Sequence, residues 1–332
     1  MADHHAAAPD ATAAYARLIW CLVAVMAAAA FVSFVLTGLR VDLFSRPILL
    51  LPFAVLCATW WFYGSVRPDA RLQTFAETCT QLLLVLLLGT LLSYAAAAAP
   101  TPFQDETLYA IDTALGLDRH AYIEFFTSRP WLFDTAKLAY FAFHPQFVIV
   151  LLVLFAKNQP QRLQQFAFAA GAALLVTDAI SAFTPSITTV YLDLGLPVTA
   201  EIPATRYTPV PTLQALRSGL PYSIDLSTVE GLITFPSFHT VGALLFIWAL
   251  RTVAYVRWFA LALNAALIAA TPIVGAHYFI DLAGGAIVAL LAVAAARWLS
   301  RRTTLVRVPG TDAVPGAPDV NVFESAGSRI PR

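Results

Sequence analysis

The stretch CTQLLLVLLLGTLLSYAAAAA, residues 79–99, contains no charged side chain. A helix rises about 1.5 Å per residue, so this run is long enough to cross the roughly 30 Å of a bilayer's hydrocarbon core. Working outward, similar apolar runs lie near 18–39, 47–64, 136–156, 163–184, 237–254, 257–275 and 278–299. The second is short, and the last two are separated by a very tight turn. The chain has 332 residues, of which 59% are hydrophobic and 12% charged, against about a quarter charged in soluble domains. The expected fold class is therefore all-α, a polytopic membrane helical bundle of about eight transmembrane helices.

Residues 18–39 also resemble a secretory leader, because Ala28-Ala29-Ala30 imitates a small-residue cleavage site. The apolar run continues past it to about Leu39, and the only base before it is Arg17. Both features favour a retained span. Cys21, Cys57 and Cys79 are odd in number and form no CxxC pair, so they read as small buried hydrophobes.

Formal net charge is zero, but its distribution is uneven, and no stripe of bases suggests nucleic acid. The connections after spans two, four and six are short and basic, with Arg67 and Arg71, Lys157 and Arg162, and Arg251 and Arg257. The end of the last span adds Arg297, Arg301, Arg302 and Arg307. With eight spans all of these fall on one side together with both termini, and the positive-inside rule makes that side cytoplasmic. Arg40 and Arg46 are the exceptions.

The expected organisation is N-terminal transmembrane helices over 1–99, interfacial helices over 100–135, and a catalytic transmembrane bundle over 136–299. Within the bundle, the Pro-, Thr- and Gly-rich residues 185–234 form an extracytoplasmic cap loop. A polar tail, 300–332, is expected to be disordered and cytoplasmic. Segment 100–135 is acid-rich, with Asp105, Glu106, Asp112, Asp118, Glu124 and Asp134. Its apolar residues recur at helical spacing, hence the reading of helices lying on the bilayer.

Two motifs carry chemistry. In GAHYFIDLAGG, 275–285, His277 and Asp281 are four apart and share a face if both are helical. A carboxylate beside an imidazole sets its tautomer and raises its basicity, which suits a nucleophile or base. Gly284 and Gly285 permit close helix packing. In FPSFHT, 235–240, Pro236 suits the first helical position, and Ser237 can donate its hydroxyl. The first-turn amides offer an anion site beside His239. Taken singly, each motif also fits an ordinary helix start. The charge-derived topology, however, puts both at the same non-cytoplasmic face. An anion held between a nucleophile and an acid points to phosphoryl transfer, whose transition state needs donors and cations around it. Arg217, in the cap, is the first candidate cation, with Arg206, Arg129 and Lys137 as others.

PSFH (236–239) and HYFID (277–281) resemble the PSxH and HxxxD motifs of the type 2 phosphatidic acid phosphatase superfamily. The resemblance implies that His277 is the nucleophile that forms a phosphohistidine. It makes Asp281 the residue that orients His277, and His239 the proton donor to the leaving group. Ser237 would help to hold phosphate, with no metal or other cofactor required. The phosphatase pattern has an arginine six residues before its histidine, where this chain has Thr271. Its first motif, KxxxxxxRP, is approximated only by KLAYFAFHP (137–145), with His144 in place of arginine. FPSFHT and HYFIDLAGG are more similar to the inositol phosphorylceramide synthase branch, which also lacks that arginine. The motif-bearing likeness covers about residues 215–299, with weaker similarity back to about residue 120.

This resemblance implies transfer of a head-group phosphate from a phospholipid donor to a lipid or sphingolipid acceptor. The alternative is a lipid phosphatase acting on phosphatidic acid or a polyprenyl phosphate. Two lysines against eighteen arginines fit a GC-rich bacterial genome, so the expected location is a bacterial inner membrane with the site facing the periplasm. Two other classes compete. One is a metal-dependent hydrolase liganded by His239, His277 and Asp281, although the spacing is not HExxH. The other is a transporter built around the intramembrane Asp178, with His144 as its partner. The chain has no internal repeat of the kind transporters show.

Overall fold

The computed structural model describes residues 9–42, 47–189, 209–229 and 231–305. The middle of the expected cap, with Arg206, and the expected tail beyond Leu305 lie outside these residues. The described chain is almost entirely helical. The first three helices are α1 (Pro9–Thr37), α2 (Leu51–Trp61) and α3 (Ala70–Ala98). They are followed by α4 (Asp105–Ala114), α5 (Arg119–Thr127), α6 (Pro130–Phe141), α7 (Phe143–Ala156) and α8 (Pro160–Phe183). The last four are α9 (Pro209–Leu216), α10 (Phe238–Leu250), α11 (Val256–Val274) and α12 (Phe279–Leu305). Two short parallel strands, β1 (Arg40–Asp42) and β2 (Ser223–Asp225), tie the loop after α1 to the segment after α9.

Each of the eight expected apolar runs falls on helix. Five helices are long and apolar enough to cross a membrane: α1, α3, α8, α11 and α12. The pair α6 and α7 passes the same test jointly but is bent by 56°. Pro145 explains the break. It has no amide for the Phe141 carbonyl four residues back, and its ring crowds that carbonyl. Two shorter apolar helices cover Leu51–Val66 and Phe238–Leu250.

The core is built where α3, α8, α1, α10 and α12 meet. Small residues let these helices approach closely. A methyl group at Gly89 of α3 would sit 2.0 Å from Leu174 of α8, and one at Gly171 would sit 2.7 Å from Leu22 of α1. The three cysteines are unpaired, and none is fully buried as expected: Cys21 is exposed, and Cys57 and Cys79 are half-buried.

The basic connections gather at one end of the bundle. Arg71 Nη2 donates to the Phe155 carbonyl at 2.8 Å, and Arg162 Nη2 donates to that of Trp248 at 3.1 Å. At the same end Tyr15 bonds the Ala296 carbonyl, and Gln165 bonds Ser300. The opposite end, where α10 and α12 begin, carries both histidine motifs.

Candidate active site

The segment before α12 makes an abrupt turn. Ala276 adopts a left-handed φ of 55°, uncommon for a residue with a side chain. Its carbonyl is held by two donors, the Thr189 amide at 2.9 Å and the Thr189 hydroxyl at 3.0 Å. His277 and Tyr278 then precede the first helical residue, Phe279. The expected shared helix face is therefore not how His277 meets Asp281. Asp281, in the first turn, reaches back over the helix start. Its Oδ2 accepts from the Tyr278 amide at 2.9 Å and lies 3.1 Å from His277 Nδ1. This is the acid half of a capping box extended to a side chain. A carboxylate can only accept, so Nδ1 carries the proton and the Nε2 lone pair is left for chemistry. Both residues are buried, at 4% and 0% exposure.

The FPSFH segment also departs from expectation. Pro236 lies outside the helix, after a cis Phe235–Pro236 bond, and Ser237 is the N-cap of α10. Its Oγ accepts from the Thr240 amide at 3.4 Å, one of the four donors a helix start leaves unpaired. The Ser237 amide donates to the Asp281 carbonyl at 3.0 Å, joining the two motifs directly. Gly284 and Gly285 make room for this junction. A methyl group at Gly285 would lie 2.4 Å from the Ser237 carbonyl oxygen, and one at Gly284 would lie 2.9 Å from the Phe235 ring.

His239, on the first turn of α10, faces His277 with ring centroids 6.2 Å apart at 67°. The Tyr140 ring stacks on it at 4.3 Å and 17°, and Phe143 lies 4.4 Å away. Both aromatic residues flank the break between α6 and α7. The KLAYFAFHP stretch thus supplies the walls around His239. His144 packs edge-on to Phe143 at 5.2 Å.

The remaining sequence candidates go elsewhere. Arg217 donates through Nε to the Ala97 carbonyl and through Nη1 to that of Thr101, both at 2.9 Å, and lies over the Phe103 ring. It fastens α9 to the end of α3. Lys137 pairs with Asp134 at 2.7 Å, and Arg129 bonds the Phe125 carbonyl. Thr271, at the position of the phosphatase arginine, is buried and turns its hydroxyl back on the Leu267 carbonyl. Asp178 is buried in α8 with neither oxygen hydrogen-bonded, and no bond joins it to His144. Among the described residues no three His, Cys, Asp or Glu side chains converge as metal ligands.

Sequence reading missed two residues, both on α4. Asp112 accepts from the Phe279 amide at 2.8 Å and the Ile280 amide at 2.9 Å. Asp105 accepts from the Tyr278 hydroxyl at 3.0 Å, Ser186 Oγ at 2.7 Å and the Ile187 amide at 3.0 Å. Burial pushes the Asp112 carboxyl up, and the two amides pull it back. Burial and the adjoining Asp105 charge raise the Tyr278 phenol, which stays a donor. The signal was present as two acids seven apart, two helical turns along one face. From sequence alone the acid-rich segment reads as helices lying on the bilayer, with no partner for either acid.

A family model described as the PAP2 superfamily matches residues 106–295, more than half of the chain. No curated protein and no solved structure gives a significant match.

Proposed function

The chain belongs to the PAP2 superfamily, and from that membership we propose a membrane phosphotransferase that acts on lipid phosphate esters through a phosphohistidine at His277. The arrangement of His277, tied to Asp281 through Nδ1 and facing His239 across 6.2 Å, carries this reading. His277 Nε2 attacks phosphorus while the bond to the leaving oxygen breaks, and His239 delivers a proton to that oxygen. Asp281 stabilises the imidazolium that forms. In the second half, an acceptor hydroxyl attacks phosphorus, gives its proton to His239, and the P–N bond breaks.

The open first turn of α10, with the Phe238 and His239 amides, is the anion-binding side. Transfer of a head-group phosphate to a lipid or sphingolipid acceptor, of the inositol phosphorylceramide synthase kind, is the specific activity proposed. Absence of the phosphatase arginine at Thr271 supports it over the phosphatase reading. Eight spans would place the site at the periplasmic surface of a bacterial inner membrane, opposite the basic end of the bundle.

The test uses phosphorus-labelled bacterial lipids with purified protein in detergent, beside the His277→Ala variant. Label in a new lipid that keeps its head group supports transfer. Label in inorganic phosphate means a lipid phosphatase. Identical products from wild type and variant overturn the role of His277.

A further inference from the structure

The helix α4 carries two carboxylates on one face, at 105 and 112, and both are buried, at 3% and 5% exposure. Leu108 is buried with them, whereas Tyr109 and Ile111 of the same helix are exposed. A short peripheral helix could have left its acids in water. Burying a carboxylate is costly unless hydrogen bonds replace that water. Here five donors do so, and three of them, the Tyr278 hydroxyl and the Phe279 and Ile280 amides, come from the stretch directly after His277. The remaining two come from 186–187, just before Thr189, which holds the Ala276 carbonyl.

The amides of Tyr278, Phe279 and Ile280 belong to the start of α12, where the backbone has no partner to offer. Asp281 takes the first and Asp112 the other two. Two consequences follow. The positive end of α12 is already neutralised by a carboxylate from another element, so an anionic substrate is directed to the α10 end. Moreover, the peptide bearing His277 is clamped on both sides, at Ala276 by Thr189 and at 278–280 by α4.

We propose that Asp112, assisted by Asp105 through Tyr278, is a positioning residue that sets the stance of His277. This rests on the reading of His277 as the nucleophile. Asp281 and His239 face the imidazole itself, whereas Asp112 and Asp105 hold the residues that follow it. Arg119 acts electrostatically on Tyr278, and Asp112 acts on Asp281.

The experiment measures apparent kcat and KM on the labelled lipid extract, with full-length protein in detergent. Asp112→Asn keeps the shape, replaces one acceptor by a donor and removes the charge. Its kcat is expected to fall by about ten- to a hundredfold, as small misplacements of reacting groups do, with KM changed less than about threefold. A wild-type kcat, or a rise in KM as large as the fall in kcat, overturns the proposal. Should Asp112→Asn fail to fold, Tyr278→Phe decides the matter. It removes only the hydroxyl bonded to Asp105, and an unchanged kcat overturns the proposal equally. His277→Ala separates the two levels. Activity in that variant overturns the nucleophile itself, whereas an inactive His277→Ala beside a normal Asp112→Asn overturns only the role of α4.

Discussion

The Tyr140 ring lies nearly parallel to the His239 imidazole, with centroids 4.3 Å apart and 17° between planes. The last turn of α6 thereby sets the plane of a side chain on α10. A stacked pair of this kind contributes about 0.5–1.5 kcal/mol beyond its buried area. Tyr140→Leu should therefore lower turnover by roughly three- to tenfold, whereas Tyr140→Phe, which keeps the ring, should stay near wild type. Equal losses in the two variants would assign the effect to the phenol hydroxyl instead.

If His239 protonates the leaving oxygen, its loss should matter in proportion to how much that oxygen needs the proton. His239→Ala is expected to retain far more activity on an aryl phosphate ester than on an alkyl one, since general acid catalysis contributes roughly 10²–10⁴-fold where the leaving group is poor. Parallel rate measurements on the two ester types check this. Equal losses on both would reassign His239 to binding.

The Gly285 backbone packs on the Ser237 carbonyl, and a main-chain oxygen cannot swing aside. Gly285→Ala should cost about 1–3 kcal/mol, the usual range for overpacking, and should abolish turnover by prising the two motifs apart. Gly284→Ala meets an aromatic ring edge at 2.9 Å and should be milder. At Gly231 nothing lies within 4 Å, so Gly231→Ala should be silent. Thermal unfolding in detergent, read beside activity, ranks the three.

Arg217 holds two carbonyls at the end of α3 and none of the site residues. Hydrogen bonds to a charged group contribute about 1.5–3 kcal/mol, so Arg217→Ala should lower the thermal midpoint while KM for lipid stays close to wild type. A large rise in KM with unchanged stability would restore it as a phosphate ligand.

The apolar runs were legible because hydrocarbon imposes a minimum length on a spanning helix, and that length is visible one residue at a time. The break in α6–α7 was not read from the sequence, which gave 136–156 as one run, although Pro145 stands inside that run. His277 and Asp281 were legible as a pair by spacing, yet the geometry that joins them was not. An i, i+4 separation fits both a shared helical face and a cap reaching back over a helix start, and only the position of Phe279 as first helical residue distinguishes them. The same ambiguity moved Pro236 from first helical residue to a position before the N-cap.

The partners of Asp105, Asp112 and Arg217 were not legible, for a different reason. Acids seven apart on an amphipathic segment usually face water, and an arginine in a loop beside a phosphate motif is a reasonable ligand. Whether a charge faces water, a helix start or a stray carbonyl depends on what the fold brings against it. By itself the sequence determined the helical membrane class, the basic end of the bundle and the two histidine motifs, because these follow from solvent, spacing and residue chemistry. The tertiary structure alone decided that α4 caps α12 and that Tyr140 and Phe143 wall His239. It alone decided that Arg217 bonds the Ala97 and Thr101 carbonyls. Each of these relations joins residues far apart in the chain, and no local preference encodes such a meeting.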